Sequence, residues 1–115
     1  MEQFIKLLEN SHNSTEHAQS MIKYFPGKDK YYTIVAEPGS KFHKIMEYKV
    51  DGGGQVRYFV ENSTGIIYGA ESLRKPNFKR WYGTLDTINE WDWSGYYAES
   101  LTGKSTLVPK ELRRK

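Results

Sequence analysis

The chain has 115 residues, of which 37% are hydrophobic and 15% aromatic, and its formal net charge is +3. This length supports one small domain with one core, and the aromatic content favours β structure over a helical bundle. The absence of cysteine excludes disulfides, thiolate zinc sites and a cysteine nucleophile. No apolar run approaches the roughly 20 residues of a membrane-spanning helix, and the first residues lack a signal-peptide layout, so we expect no membrane association and a cytoplasmic setting.

The first 26 residues have the pattern of amphipathic helices. Apolar residues recur every three or four positions from Phe4 to Phe25. The polar run at residues 10–15 caps helices better than it continues them, so we predict two helices, with Asn13 or Ser14 as the N-cap of the second. Pro26 then ends the helical part, which spans residues 1–26.

Residues 31–70 have the period of two that is typical of strands. Short turns separate four predicted strands, at residues 31–37, 41–50, 55–61 and 66–70, and such turns are compatible with antiparallel pairing. The turn after Asn62 ends on Gly65, where we expect a positive φ. The predicted fold is α+β, with N-terminal helices packed on an antiparallel meander of four to five strands in a single domain.

The remaining residues give a weaker pattern. Residues 71–106 are expected to form a basic loop and an aromatic segment, and residues 107–115 a loosely held basic tail. Pro76 interrupts the pattern, and residues 84–93 are compatible with a short helix or a strand. We expect at most one short helix after Ala70.

Three sequence elements occur in a characteristic order: residues 39–45 (GSKFHKI), residues 59–70 (FVENSTGIIYGA) and residues 72–76 (SLRKP), followed by Arg80. Over about residues 39–85 the chain resembles a group of short uncharacterised proteins encoded by tailed bacteriophages. Two positions depart from that group, because Gly69 stands in place of its usual lysine and Leu73 in place of its usual tryptophan. The resemblance implies a phage source and no particular activity.

Charged residues are segregated along the chain, with a basic block at residues 71–82 followed by an acidic block at residues 83–99. Cations with nearby aromatic rings are suited to phosphate contacts and base stacking. A nucleic-acid or nucleotide site would use Lys44, Arg57, Arg74, Lys75, Lys79, Arg80 and Trp81. Alternatively, these cations pair with the acidic block and the rings fill the core.

Aromatic residues after position 90 form the other candidate surface. Tryptophan and tyrosine contribute much of the energy of protein interfaces. A partner would contact Trp91, Trp93, Tyr96 and Tyr97, and we expect one of the two tryptophans to be buried and the other to face the partner.

The sequence contains no recognisable catalytic constellation. His12 and His17 are five residues apart, which is off the spacing that places two ligands on one helical face, so we predict no metal and no cofactor. We therefore expect a non-enzymatic protein whose partner is a host or phage protein, with nucleic acid as the alternative. The oligomeric state stays open.

Overall fold

The two predicted N-terminal helices are present in the computed structural model, which describes residues 1–113. Helix α1 spans Glu2–Asn13 and helix α2 spans Glu16–Ile22. The buried residues of α1 are Phe4, Leu8 and His12, whose spacing of four places them on one helical face.

The predicted N-cap of α2 is wrong by one or two residues. Thr15 caps the helix, since its hydroxyl accepts a hydrogen bond from the Ala18 amide at 3.2 Å. The Asn13 side chain instead accepts a hydrogen bond from the Tyr32 amide at 2.8 Å. Asn13 therefore attaches the end of α1 to the start of the sheet.

A five-stranded antiparallel meander follows, with strand order β1-β2-β3-β4-β5. The domain is therefore α+β, as predicted. The four strands predicted between residues 31 and 70 are confirmed to within two residues, and Gly65 has the expected positive φ of +74°. The strands span Tyr32–Glu37, Phe42–Lys49, Gly54–Glu61, Ile66–Ser72 and Lys75–Thr84.

The prediction of a basic loop after residue 70 is wrong for the first part of that segment, because Lys75–Thr84 is β5. Its pairing with β4 is irregular: Tyr68 lies opposite Trp81, whereas Gly69 lies opposite Asn77. Three residues of β5 are therefore left over in a bulge, which includes Arg80.

The C-terminal part contains more structure than expected. A 3-10 helix spans Leu85–Glu90, and strands β6 (Trp91–Asp92) and β7 (Glu99–Ser100) pair with each other. A second 3-10 helix spans Lys110–Leu112, so the prediction of at most one short helix after Ala70 is wrong. The predicted loose tail is wrong at Val108, which is buried against the sheet, whereas most of the other residues from 107 to 113 are exposed; residues 114 and 115 lie outside the described residues.

Both faces of the sheet are covered. Helix α1 and the segment around Trp93 pack on one face, which contains Ile45 and Tyr58. The last residues of the described chain, with Val108, pack on the other face.

A β-bulge in the centre of the sheet displaces one arginine. Ile45 lies opposite Tyr58 and Met46 lies opposite Val56, so Arg57 has no residue opposite it. The Arg57 side chain hydrogen-bonds to the carbonyls of Gly95 and Tyr96, which places it on the same face as Tyr58 and α1.

Candidate functional site

Trp91 and Trp93 belong to the core. Their exposed fractions are 3% and 1%, so the expectation that one of them faces a partner is wrong. Residues two apart along a strand point to the same side, and here that side is the core. The Trp93 ring lies 4.9 Å from that of Phe4 and 5.3 Å from that of Tyr58, and its indole N–H donates to the Ile88 carbonyl at 2.8 Å.

Tyr96 and Tyr97, in contrast, lie on the surface. Their exposed fractions are 68% and 54%, and their rings meet edge to face at 4.7 Å. Both belong to the connection between β6 and β7, which we call the tyrosine loop (residues 93–98). The Asp92 carboxylate accepts hydrogen bonds from the amide and hydroxyl of Ser94 at 3.0 and 2.7 Å, which orders the start of the loop.

Two arginines support this pair of rings. The Arg57 guanidinium lies 4.9 Å from the centre of the Tyr96 ring, and the Arg80 guanidinium lies 4.7 Å from that of Tyr97. Arg57 also donates to the carbonyls of Gly95 and Tyr96 at 3.2 and 2.8 Å. The structure thus brings two residues of the predicted protein-binding set into contact with two residues of the predicted nucleic-acid set.

A small cavity opens between the two arginines. Its volume is about 100 Å³, and its lining includes Arg57, Arg80, Tyr58, Asn77 and Tyr97. We call it the arginine pocket. Burial raises the pKa of the Tyr58 hydroxyl well above its usual range, so the hydroxyl stays protonated and is a potential donor.

The other predicted basic residues do not join this surface. Lys44 lies opposite Phe59, on the face of the sheet away from Tyr58. Lys79 lines a separate cavity beside Val108. Lys75 pairs with Glu71 at 3.2 Å in the hairpin that connects β4 and β5.

The remaining two members of that set are also separate. Arg74 lies in the turn of the same hairpin, before β5 begins. Trp81 is half-buried, its ring lies 5.8 Å from that of Trp91, and its indole N–H is buried. A half-buried ring in this position contributes to packing within the protein.

A buried ion pair was not predicted from the sequence. His12 and Glu47 are 4% and 3% exposed, and the His12 Nδ1 contacts a Glu47 carboxylate oxygen. The other ring nitrogen, Nε2, lies 2.8 Å from the Trp93 carbonyl. Because both nitrogens face acceptors, the imidazolium form is the one that satisfies both contacts.

The same pair forms part of the lining of a larger and more open cavity of about 270 Å³. Gln55 donates to Glu47 at 3.2 Å, and the Arg57 Nε lies 4.0 Å from the same carboxylate. Burial would raise the pKa of the Glu47 carboxyl, but the hydrogen bond and charge of His12, together with Arg57, outweigh it and hold the pKa below its usual range. With both ring nitrogens engaged, His12 has a structural role in this arrangement.

The spacing of His12 from Phe4 and Leu8 is a sequence feature from which this pair could have been predicted. His12 follows Phe4 and Leu8 at the same spacing of four residues on the buried face of α1. Glu47 lies two residues after the core residue Ile45 on β2, and so on the same side of that strand. A histidine and a glutamate on two apolar faces that pack together are expected to pair.

Two further properties of residues 1–113 bear on the kind of site. No group of three or more His, Asp or Glu side chains is placed there as metal ligands would be. None of the helices in this part of the chain combines the length and the apolar composition needed to cross a membrane.

The model of a family of unknown function, DUF7717, matches residues 1–99. This range includes α1, α2, the five-stranded sheet, the arginine pocket and the tyrosine loop. No curated protein and no solved structure matches the chain significantly.

Proposed function

The chain belongs to DUF7717, a family of unknown function, and we propose that it is a non-enzymatic bacteriophage accessory protein that binds and modulates a host or phage protein. The partner-binding surface in this proposal is the tyrosine loop, with Tyr96 and Tyr97 as its anchors. The phage source is proposed from the resemblance of residues 39–85, and the setting is the host-cell cytoplasm.

One observation carries the proposal: two adjacent tyrosines are exposed and yet held in place. Each ring has a guanidinium within 5 Å, at 4.9 Å for Tyr96 and 4.7 Å for Tyr97. The backbone of the loop is fixed by the hydrogen bonds of Arg57 to two carbonyls. Rigid aromatic side chains lose little conformational entropy on binding, and tyrosine is enriched among residues that dominate interface energy.

Affinity capture from a lysate of infected bacteria tests this proposal. The bait is compared with a Tyr96→Ser/Tyr97→Ser variant and with a matched control, Tyr24→Ser, which alters a tyrosine that is 76% exposed and lies after α2. We expect a protein retained by the wild type and by Tyr24→Ser, lost with the double variant, and unaffected by nuclease. Equal retention by the double variant would refute the assignment of this surface.

Nucleic-acid or nucleotide binding is the second candidate, and the stacking of Arg80 on Tyr97 favours it, since a ring beside a cation also suits a base and its phosphate. In this case a single-stranded oligonucleotide should bind with a log–log salt slope of about −0.7 for each phosphate contacted. Reversal of the charge of Arg80 should abolish binding, and reversal of Arg74, Lys75 and Lys79, which lie apart from Arg80, should weaken it less. Absence of binding at about 50 mM salt would exclude this candidate.

A further inference from the structure

We propose that the arginine pocket receives the carboxylate of an aspartate or glutamate side chain of the partner protein. This inference rests on the proposed protein-binding function and specifies the chemistry of the partner. An acidic side chain would enter between Arg57 and Arg80, next to the exposed tyrosines.

The donors around the pocket are suited to an anion. Among the described residues that line it there are two guanidinium groups and the Asn77 side chain, and no carboxylate. Arg57 uses Nη2 for the loop carbonyls, its Nε lies 4.0 Å from Glu47, and its guanidinium also approaches the Tyr58 hydroxyl that lines the pocket. Arg80 stacks on Tyr97 and has no ion pair in the same part of the chain. Charge-assisted hydrogen bonds from arginine to a carboxylate are among the strongest that proteins form.

A buried hydroxyl adds an independent indication of a ligand. Tyr58 lines the pocket and is only 2% exposed, yet its hydroxyl makes no hydrogen bond of ordinary geometry, although the Ala98 amide and the Arg57 guanidinium lie near it. A buried donor without an acceptor is unfavourable and rare in folded proteins. A carboxylate in the pocket would supply the acceptor.

Gly69 lines the pocket opposite Asn77 on β5. Its φ is not positive, so the backbone conformation does not require glycine. A Cβ at this position would lie 3.1 Å from the Arg80 Cβ and 3.4 Å from the Tyr82 ring. The missing side chain therefore lets the Arg80 stem lie directly on β4, and a glycine inside a strand often marks such a close approach.

The size and surroundings of the pocket favour a protein carboxylate over a nucleotide. Pockets for whole small molecules usually measure about 300–1,000 Å³, whereas this one measures about 100 Å³. Lys44 and Lys79 lie on the other face of the sheet or in a separate cavity, so these cations do not extend the pocket into a track for successive phosphates. The carboxylate of one acidic side chain matches the volume of the arginine pocket and the number of hydrogen-bond donors that line it.

An NMR titration tests the inference on the intact protein. The probe is a blocked glutamate tripeptide, acetyl-Gly-Glu-Gly-amide, with the glutamine analogue as its neutral control at equal ionic strength. We expect saturable shifts of the Arg57 and Arg80 side-chain signals with the glutamate peptide only. Arg80→Gln should weaken binding by about tenfold, because it removes a charge-assisted contact. Lys79→Gln changes the net charge equally, at the adjacent residue, and should leave the affinity unchanged.

A second variant separates the pocket from general electrostatics. Tyr58→Phe removes only the hydroxyl, so it should leave the melting temperature unchanged or higher while it weakens binding of the glutamate peptide. Unaltered affinity in this variant, an absence of saturable shifts, or equal losses in Arg80→Gln and Lys79→Gln would each overturn the inference. Tighter binding of inorganic phosphate than of the peptide would overturn it in favour of a phosphate site.

The capture experiment distinguishes the two proposals. Loss of the partner in the double tyrosine variant, with retention in Arg80→Gln and Tyr58→Phe, would preserve the protein-binding function and overturn the role of the pocket. Saturable peptide binding without any captured protein would support the carboxylate site and count against the proposed function.

Discussion

The buried pair of His12 and Glu47 provides the sharpest test of how this fold is held together. Glu47→Gln keeps the shape of the side chain and removes the negative charge that the buried His12 ring and the Arg57 side chain both face. Breaking one partner of a buried pair typically destabilises a protein by roughly 3–5 kcal/mol. We expect a value toward the lower end, about 3 kcal/mol, because the amide oxygen of glutamine can still accept one hydrogen bond.

Urea unfolding followed by tryptophan fluorescence measures this loss, since Trp91 and Trp93 are both buried. A matched control is Glu2→Gln, which alters a glutamate that lies 3.9 Å from Lys6 and whose side chain is 86% exposed. The control should leave the unfolding midpoint nearly unchanged, because exposed pairs are weak. An equally small effect of Glu47→Gln would refute the interpretation of the buried pair.

The pair also predicts a dependence on pH. The pKa of the Glu47 carboxyl is lower in the folded protein than its ordinary value of 4.5. Its contribution to stability is therefore present above about pH 4.5 and is lost as the pH falls through the folded pKa. The wild type should lose its advantage over Glu47→Gln in that acidic range, and a constant difference down to pH 2 would contradict the assignment.

Two further predictions concern the core and the hairpin. Trp91→Ala and Trp93→Ala should each destabilise the fold by roughly 3–5 kcal/mol in urea unfolding, because both rings are buried; a variant that unfolds like the wild type would contradict this. Gly65→Val should cost about 1–2 kcal/mol, because the φ of +74° is strained for a β-branched residue, while the nearest atom to the new Cβ would be the Leu85 Cβ at an ordinary 3.8 Å. Gly65→Asn should cost less, since asparagine tolerates this conformation, and equal melting temperatures for the glycine and valine forms would mean that the turn adapts.

The sequence predicts those parts of the fold that depend on local patterns. The strands between residues 31 and 70 are rich in β-branched and aromatic residues and are separated by short turns, and the turn that ends at Gly65 has a residue type that its φ favours. Strand β5 was not predicted, because Pro76 lies near its start and its register shifts three times against β4. These shifts interrupt the regular alternation of side chains between the two faces of the sheet. Nothing in a local pattern reveals such bulges.

The candidate surface was only partly predictable. Tyr96 and Tyr97 could be selected as exposed aromatic residues, but their support by Arg57 and Arg80 depends on contacts between distant segments. The bulge that turns Arg57 toward the tyrosine loop exists only once β2 and β3 have paired. Two hypotheses that were separate in the sequence therefore concern one surface in the structure.

The contact between His12 and the Trp93 carbonyl has a consequence for how the protein folds during synthesis. Each strand of the sheet pairs with a neighbour in sequence, so β1 to β5 can assemble in the order in which the ribosome makes them. The face of α1 that carries Phe4 and His12 is made first, yet His12 meets the Trp93 carbonyl, which lies 81 residues further along the chain. We expect a nascent chain that ends before Trp93 to leave this face of α1 incompletely covered, so the packing of α1 is completed only after Trp93 has been made.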